Sequence, residues 1–207
     1  MKHKRIPDET IRRLPLYLRG LVFLLQEGHL SVSSEKFGDY VGVNSSQIRK
    51  DFSYFGEFGV RGVGYDIRKL AIEIKGILKL NEIHKAALIG AGNLGSAIIS
   101  YPGLQLYGFD ITAVFDNNTH KIGKKIRDIE ILDVAKLGIL KKKNIQIGII
   151  TVPRNAAQET ADALVKAGVT GILNFSPCYI IVPKNVKVIT IDIAGYLARM
   201  PYYITAG

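Results

Sequence analysis

Lys85–Gly95, with the sequence KAALIGAGNLG, decides the fold of this chain. An apolar run leads into a glycine-rich turn, which is the pattern of a strand, a phosphate-binding loop and the first turn of a helix. In such a unit Gly90 permits the tight turn, Gly92 leaves room for a pyrophosphate, and Gly95 lets the helix pack closely on the strand. The N–H groups at the start of the helix then face the anion. The residues predicted to bind a dinucleotide here are Gly90, Ala91, Gly92, Asn93, Leu94 and Gly95.

An acidic residue follows the next predicted strand, which runs from Phe109 to Phe115. This residue is Asp116, 21 positions after Gly95, where a carboxylate binds the ribose hydroxyls of an adenine nucleotide. A carboxylate repels the 2′-phosphate of NADP, and no arginine immediately follows it, so the sequence favours NAD over NADP. The alternative is that Asp116 is an ordinary turn residue.

Strands and helices alternate from Lys85 onward, which is typical of an α/β domain with a doubly wound parallel sheet of Rossmann type. Ligands bind outside the carboxyl ends of such strands. Two further strands are predicted at 145–151 and 171–175, and their carboxyl ends supply more candidates. The residues expected to line the nicotinamide side of the cleft are Thr151, Val152, Pro153, Asn174 and Phe175.

A dinucleotide fold normally has its first strand near the start of its domain, yet 84 residues precede this one. Apolar spacing predicts three helices there, from Pro7 to Gly28, from Ser33 to Gly42 and from Asn44 to Phe55, with Pro15 expected to kink or divide the first. The short turn at 42–44 between the last two makes a helix-turn-helix. The chain is therefore expected to carry a winged-helix domain ahead of the Rossmann-like domain.

The third predicted helix has the polar face of a DNA recognition helix, in which glutamine, arginine and lysine contact bases or phosphates. A glycine-rich ribbon follows at 56–65 and resembles a wing that could aim one arginine into a minor groove. The alternative is a solvated face without a nucleic-acid role. The predicted DNA-binding residues are Ser45, Ser46, Gln47, Arg49, Lys50, Ser53, Arg61 and Gly62.

The formal net charge of +10 favours a polyanionic partner. The single cysteine, Cys178, excludes an intramolecular disulfide and a metal site with several cysteines, and the scattered histidines indicate no metal site. The N-terminus lacks the apolar segment of a signal peptide, and no run approaches the length of a membrane span. We therefore expect a cytoplasmic protein without a membrane partner.

The second module has about 120 residues, too few for a dinucleotide fold and a separate substrate domain. The pattern of a catalytic nucleophile is absent as well. These features predict that the nucleotide is sensed and not consumed. Two alternatives remain open: a small NAD-dependent oxidoreductase with an N-terminal oligomerisation arm, and a CoA- or nucleotide-binding module.

Over essentially its whole length the sequence resembles the Rex family of bacterial redox-sensing transcriptional repressors. The resemblance rests on four segments: 45–56, 61–65, 90–95 and 171–177. It implies a homodimer that binds NADH or NAD⁺ as an effector, occupies a palindromic operator when NADH is scarce, and leaves the DNA when NADH binds.

The resemblance also implies three segments: a DNA-binding domain at 1–80, an NAD(H)-binding domain at 81–192, and a C-terminal helix at 193–207 exchanged between subunits. Three residues match family positions that change partners with the redox state of the nicotinamide. They are Arg19, Tyr101 and Asp192, and Tyr101 is also expected to contact the cofactor.

Overall fold

The computed structural model describes residues 6–56, 58–60 and 63–205. The chain divides into two compact units, Met1–Glu82 and Ile83–Gly207. The division falls two residues beyond the boundary expected from the sequence, and the C-terminal segment from residue 193 belongs to the second unit.

The described part of the first unit contains four helices. They are α1 (Asp8–Gln26), α2 (Ser34–Val41), α3 (Ser45–Phe52) and α4 (Ile67–Ile77). Helix α1 is continuous through Pro15, so the proline does not divide it. Fully buried Leu14, Leu18 and Leu21 recur along α1 at the spacing of one helical face. The third helix ends three residues earlier than predicted, at Phe52.

The turn and wing of this unit follow the expected pattern. Gly42 ends α2 in the left-handed conformation, with φ of 69°, a geometry that suits glycine because it has no Cβ. The wing strands are short and antiparallel in the order β1-β3-β2: β1 (Ser31–Val32), β2 (Gly59–Val60) and β3 (Gly64–Asp66). Two predicted DNA contacts, Arg61 and Gly62, lie outside the described residues.

The second unit is built on a sheet with seven strands among the described residues. In chain order they are β4 (His84–Ile89), β5 (Phe109–Asp116), β6 (Lys125–Ile126), β7 (Ile129–Asp133), β8 (Ile147–Ile150), β9 (Gly171–Asn174) and β10 (Lys187–Thr190). The sheet order is β10-β9-β8-β4-β5-β7-β6, and only β6 pairs antiparallel. Without β6 this is the Rossmann order, which reverses between β4 and β8. The predicted doubly wound fold is confirmed.

Six α-helices and two single 3₁₀ turns complete the described part of the second unit. The helices are α5 (Asn93–Ile99), α6 (Gly103–Leu106), α7 (Ile139–Lys142), α8 (Ala157–Lys166), α9 (Ile193–Leu197) and α10 (Met200–Thr205), while the turns at Val134–Lys136 and Arg154–Ala156 are 3₁₀. The two 3₁₀ turns lead into α7 and α8, respectively. No helix in the described residues is long and apolar enough to cross a membrane.

The central strand β4 is buried on both faces. Ala87 and Ile89 of β4 belong to one apolar cluster, and Ala86 and Leu88 to another. Strands covered on both faces read as continuous apolar runs, which explains why β4 shows no polar alternation in the sequence. Because β4 pairs in parallel with β5 and with β8, the carboxyl ends of these three strands lie at the same edge of the sheet.

Candidate functional site

The glycine loop has the geometry of a phosphate-binding turn. Gly90 has φ of 105°, and a Cβ there would lie 2.9 Å from the backbone of Thr151. A Cβ on Gly95 would collide with the carbonyl oxygen of Gly90, so α5 packs as closely as predicted. Gly92 precedes α5, and nothing lies within 4 Å of the place where its Cβ would be. This open space is where the sequence predicts a pyrophosphate.

The loop borders a cleft of about 780 Å³ at the reversal of the sheet order. Thr151 connects the end of β8 to the glycine loop, because its hydroxyl donates to the carbonyl oxygens of Ile89 (3.0 Å) and Gly90 (2.7 Å). Eight of the predicted cofactor-binding residues line the cleft: Gly90, Gly92, Leu94, Asp116, Thr151, Val152, Pro153 and Phe175. Their convergence agrees with the rule that ligands bind where the strand order reverses.

The Asp116 carboxylate is almost fully bonded within the chain. Its Oδ2 accepts hydrogen bonds from the amide of Ala91 (2.8 Å) and from Nζ of Lys121 (3.0 Å), and Oδ1 accepts one from the amide of Asn118 (2.8 Å). Burial opposes its ionisation, but these three donors outweigh that effect and hold the pKa of Asp116 below its usual range. Asp116 therefore organises the loop in addition to facing the cleft.

Part of the cleft wall was not predicted. It consists mainly of apolar side chains after β7 and along the first turns of α8, together with polar groups on the rim. The additional residues are Ile89, Asn117, Asn118, Lys121, Val134, Ala135, Leu137, Ala156, Glu159, Thr160 and Ala163. The carboxyl end of β7 could have been found by the rule that identified Thr151, whereas the face of α8 depends on how that helix packs.

Asn174 supports the rim of the cleft instead of lining it. Its side chain is fully buried, donates to the carbonyl oxygens of Ser176 and Cys178, and accepts from the amide of Ser176. The Ser176 hydroxyl in turn donates to the carbonyl oxygen of Val152 at 2.6 Å. This bonding fixes the loop that presents Phe175 to the cleft. Ala91, Asn93 and Gly95 likewise shape the loop without lining the cleft.

The three residues of the expected redox switch are all exposed. Tyr101 lines a different groove of about 280 Å³, together with Gln105 and Arg127, so it does not reach the cleft of its own chain. Asp192 caps α9, where its Oδ1 accepts the amide of Gly195. Arg19 lies on α1 in the first unit. No hydrogen bond joins Tyr101 to Asp192 in the described part of the chain.

The recognition helix α3 begins with a side-chain cap. Oδ1 of Asn44 accepts from the amide and the hydroxyl of Ser46, at 2.9 and 2.7 Å. Lys50 is exposed, Ser45 is half-buried, and the Ser53 hydroxyl donates to the carbonyl oxygen of Lys50. Polar side chains near the N-terminus are what a recognition helix presents to base edges in a major groove.

Arg49 is held by the neighbouring helix. Its Nη1 donates to Oγ of Ser34 (2.7 Å) and to Oε1 of Glu35 (3.1 Å), both on α2. Since Nη1 is engaged, the edge formed by Nε and Nη2 is left for a ligand. A groove of about 720 Å³ runs beside Arg49 between α3 and the described part of the wing.

Among the described residues of the first unit, the most highly bonded polar group is Asp51, on the inner face of α3. It is fully buried, and its carboxylate accepts five hydrogen bonds. Arg13 gives two, from Nε at 2.6 Å and Nη2 at 2.8 Å. Thr10, Tyr17 and Gln47 give one each, at 3.0, 2.7 and 2.9 Å. We call these residues the Asp51 cluster, and it ties α1 to the recognition helix.

The Asp51 cluster stays charged because of its donors. Burial opposes ionisation of Asp51, but hydrogen bonds from Arg13, Tyr17, Gln47 and Thr10 outweigh it and lower the pKa to about 2. Burial, followed by the bond to Asp51, raises the pKa of Tyr17. The cluster was not identified from the sequence. Its signal was an acid on the same face as buried Ile48 and Phe52, where an unpaired charge would be costly.

The described residues contain no group of three His, Cys, Asp or Glu side chains that could bind a metal ion. The described residues do include Cys178, which is a half-buried free thiol.

Comparison with protein families matches the two units separately. The family model described as "Putative DNA-binding protein N-terminus" matches residues 5–53, and the model described as "CoA binding domain" matches residues 81–178. The first match includes α1, α2 and α3, and the second includes the glycine loop and Asp116.

Curated proteins named redox-sensing transcriptional repressor Rex are similar to this chain over nearly its full length. The protein from Chloroflexus aurantiacus (strain ATCC 29366 / DSM 635 / J-10-fl) is 48% identical over 199 residues, which cover 96% of this chain and 94% of that protein. The protein from Carboxydothermus hydrogenoformans is 47% identical over 205 residues, 99% of both chains.

Solved structures give the same result. The crystal structure of RSP in complex with β-NAD⁺ and operator DNA is 37% identical, with a TM-score of 0.91, and the match covers 98% of this chain and 94% of that one. The crystal structure of RSP in complex with β-NADH is 35% identical, with a TM-score of 0.88, covering 98% and 96%. RSP is described as a Rex-family repressor.

Proposed function

The chain belongs to the Rex family of redox-sensing transcriptional repressors, and on this premise we propose that its glycine-loop cleft and its recognition helix are the two coupled sites of an NADH-released repressor. The observation that carries the proposal is the presence of both sites in one chain that is 47–48% identical to Rex proteins over almost its whole length. Operator DNA would be bound when NADH is scarce and released when NADH accumulates.

The cleft supports a dinucleotide effector by its shape. The space beside Gly92 admits the pyrophosphate, and the N–H groups that begin α5 face it. Asp116 and Lys121 border the place of the adenine ribose, while Thr151, Val152 and Phe175 border the nicotinamide side. The nicotinamide of a bound dinucleotide can exchange a hydride. Its proposed role here is different: the protein distinguishes NADH from NAD⁺ by their charge and shape. We propose that the protein binds the nucleotide without turning it over.

The recognition helix supports sequence-specific DNA binding. Arg49 offers a pair of donors that match the acceptors on the major-groove edge of guanine, and exposed Lys50 suits a phosphate. Arg61 and Gly62 of the wing remain proposed contacts. Because the operator is DNA in the bacterial cytoplasm, the proposed localisation of the protein is cytoplasmic.

A homodimer completes the proposal, because a palindromic operator requires two recognition helices. The C-terminal segment provides apolar surface for such a contact: Ile193, Leu197 and Ile204 are exposed to 61%, 69% and 75%. Exchange of this segment between subunits would bury these side chains. It would also bring Tyr101 and Asp192 to a subunit boundary, where they and Arg19 could act as the redox switch.

Binding measurements test this function. We expect NADH to weaken binding to a palindromic operator fragment in a mobility-shift titration, and the operator to weaken NADH binding by the same factor, because coupling between two sites is reciprocal. A titration unchanged by saturating NADH would overturn the proposal. Calorimetry with NADH, NAD⁺, NADPH and CoA separates it from a CoA-binding module, whose fold family matches residues 81–178. Steady NADH consumption with small carbonyl compounds would indicate an oxidoreductase.

A further inference from the structure

The orientation of the Gln47 side-chain amide is fixed by the chemistry of its partner. Nε2 of Gln47 lies 2.9 Å from Oδ1 of Asp51. An ionised carboxylate only accepts hydrogen bonds, so the amide nitrogen, and not the amide oxygen, must face it. Asp51 stays ionised because Arg13 and its other donors lower its pKa to about 2. The usual ambiguity between the two ends of a glutamine amide is therefore removed here.

The amide oxygen is consequently the end that remains for another molecule. Gln47 lies in the first turn of α3 and is half-buried. Within the described residues its Oε1 accepts no hydrogen bond, and it is not among the buried polar atoms that lack a partner. The first turn of a recognition helix is the part that contacts base edges. An acceptor at this position matches the exocyclic amine of adenine or cytosine, the two amine donors of the major groove.

We propose that Gln47 reads a base amine of the operator through its side-chain oxygen, and that buried Asp51 is the positioning residue that turns this oxygen outward. The proposal rests on the proposed function and adds a specificity-determining contact to it. Thr10, Arg13 and Tyr17 hold Asp51 from α1, so the orientation of a base-reading side chain depends on a helix that does not itself enter the groove.

A modified operator tests the reading step. The operator is first selected from a random DNA pool with the full-length protein. Each adenine of one half-site is then replaced by purine, and each cytosine by 2-pyrimidinone, which removes the exocyclic amine. At one position we expect a three- to tenfold loss of wild-type affinity, the size of a lost neutral hydrogen bond. Gln47→Ala should show no loss at that same position, because the two changes remove one contact and are not additive.

Two further variants test the positioning step. Asp51→Asn carries an amide that can donate or accept, so it no longer fixes the Gln47 amide, and we expect the amine dependence to weaken. Should this variant fail to fold, as judged by circular dichroism, Gln47→Glu provides the decisive result. That side chain still offers acceptor oxygens but is repelled by Asp51, and we expect it to lose the amine dependence. Asp39→Asn, an exposed acid on α2 outside the predicted DNA contacts, is the control and should retain it.

The outcomes separate this inference from the proposed function. If the wild-type protein selects no operator, or NADH does not release it, the proposed function is wrong. If the wild-type protein binds and responds to NADH, but Gln47→Ala retains the same amine dependence at every position, base reading by Gln47 is wrong. If Gln47→Glu keeps the wild-type amine dependence, Asp51 does not position the contact.

Discussion

The backbone amide of Ala91 donates a 2.8 Å hydrogen bond to Oδ2 of Asp116, and this bond ties the glycine loop to the end of β5. Lys121 contacts the same oxygen at 3.0 Å. The acid expected to bind ribose therefore also sets the conformation of the loop expected to bind the pyrophosphate. A change at Asp116 should affect both ends of the nucleotide.

Asp116→Asn is expected to weaken NADH binding about tenfold or more, since buried hydrogen bonds to charged groups contribute roughly 1.5–3 kcal/mol. Affinity for NADPH should fall less, because Lys121 loses its carboxylate partner and becomes free to attract a 2′-phosphate. Calorimetry with both nucleotides measures the two effects. Asp110→Asn, at the exposed start of β5, is the control for the lost charge and should bind NADH normally. Unchanged NADH affinity in Asp116→Asn would return this residue to the role of a turn residue.

Gly92→Ala should lose NADH binding while the fold is retained. Its φ of −84° suits alanine, and nothing in the chain lies within 4 Å of the new methyl group. The methyl would occupy the space of the pyrophosphate, and overpacking of this kind costs roughly 1–3 kcal/mol. We expect operator binding that no longer responds to NADH in a mobility-shift titration.

Gly138→Ala is a matched control for this variant. Gly138 also has a negative φ, −55°, and open space around its missing Cβ, but it lies at the start of α7 and does not line the cleft. It should respond to NADH as the wild-type protein does. A normal NADH response in Gly92→Ala would mean that the pyrophosphate does not approach this glycine.

The Asp51 cluster predicts how stability depends on pH. The pKa of Asp51 is about 2 in the folded chain and 3.8 for the free side chain. A lowered carboxyl pKa contributes stability above the unfolded value and loses it as the pH falls through the folded value. The contribution should therefore be complete above about pH 4 and disappear towards pH 2, with a total of about 2 kcal/mol.

Urea unfolding of the full-length chain, followed by circular dichroism between pH 2 and 7, measures this contribution. Asp51→Asn should be less stable than wild type at pH 7, and the difference between the two proteins should shrink as the pH falls from 4 to 2. Asp39→Asn, an exposed acid on α2, should show no such change. A difference between Asp51→Asn and wild type that stays constant over this range would contradict the assigned pKa.

Lys50 and Arg49 should affect DNA binding differently. Lys50→Ala removes an exposed charge suited to phosphate, so affinity should fall for all sequences and the slope of log affinity against log salt should decrease by about one.

Arg49→Lys keeps the charge but loses the fork held by Ser34 and Glu35, so operator affinity should fall by about 1–3 kcal/mol with little change on non-operator DNA. Both variants should bind NADH normally. Loss of NADH binding as well would indicate misfolding instead.

Local patterns were sufficient to predict the fold class. The glycine triplet, the apolar run of β4 and the helix start at Ser33 each depend on residues close together in the sequence, and each appears in the structure. Helix ends were less predictable, because α3 ends at Phe52 and leaves Phe55 in a half-buried turn beyond it. Where a helix ends depends on packing as well as on periodicity.

The sites were only partly predictable, because several decisive contacts are long-range. Arg13 and Asp51 are 38 residues apart, and the local sequence around one does not indicate that it contacts the other. The face of α8 that lines the cleft is set by its packing on β8. Asn174 stands at a strand end, where the rule for ligand sites applies, yet its amide bonds to its own loop. The rule identifies an edge of the sheet and not which side chains face outward.

Asp192 should affect the coupling between the sites more than either site alone. Its carboxylate is exposed and caps α9 through Gly195, and it is one of the three residues expected to form the redox switch. Asp192→Ser keeps a side-chain cap, because serine is a good N-cap residue, but removes the negative charge on which the expected redox switch depends. We expect near-normal affinity for NADH alone and for operator alone, with a smaller factor by which NADH weakens operator binding. Asp192→Ala, which loses both cap and charge, should show the same reduced factor. If the factor falls only in Asp192→Ala, the helix cap and not the charge carries the coupling.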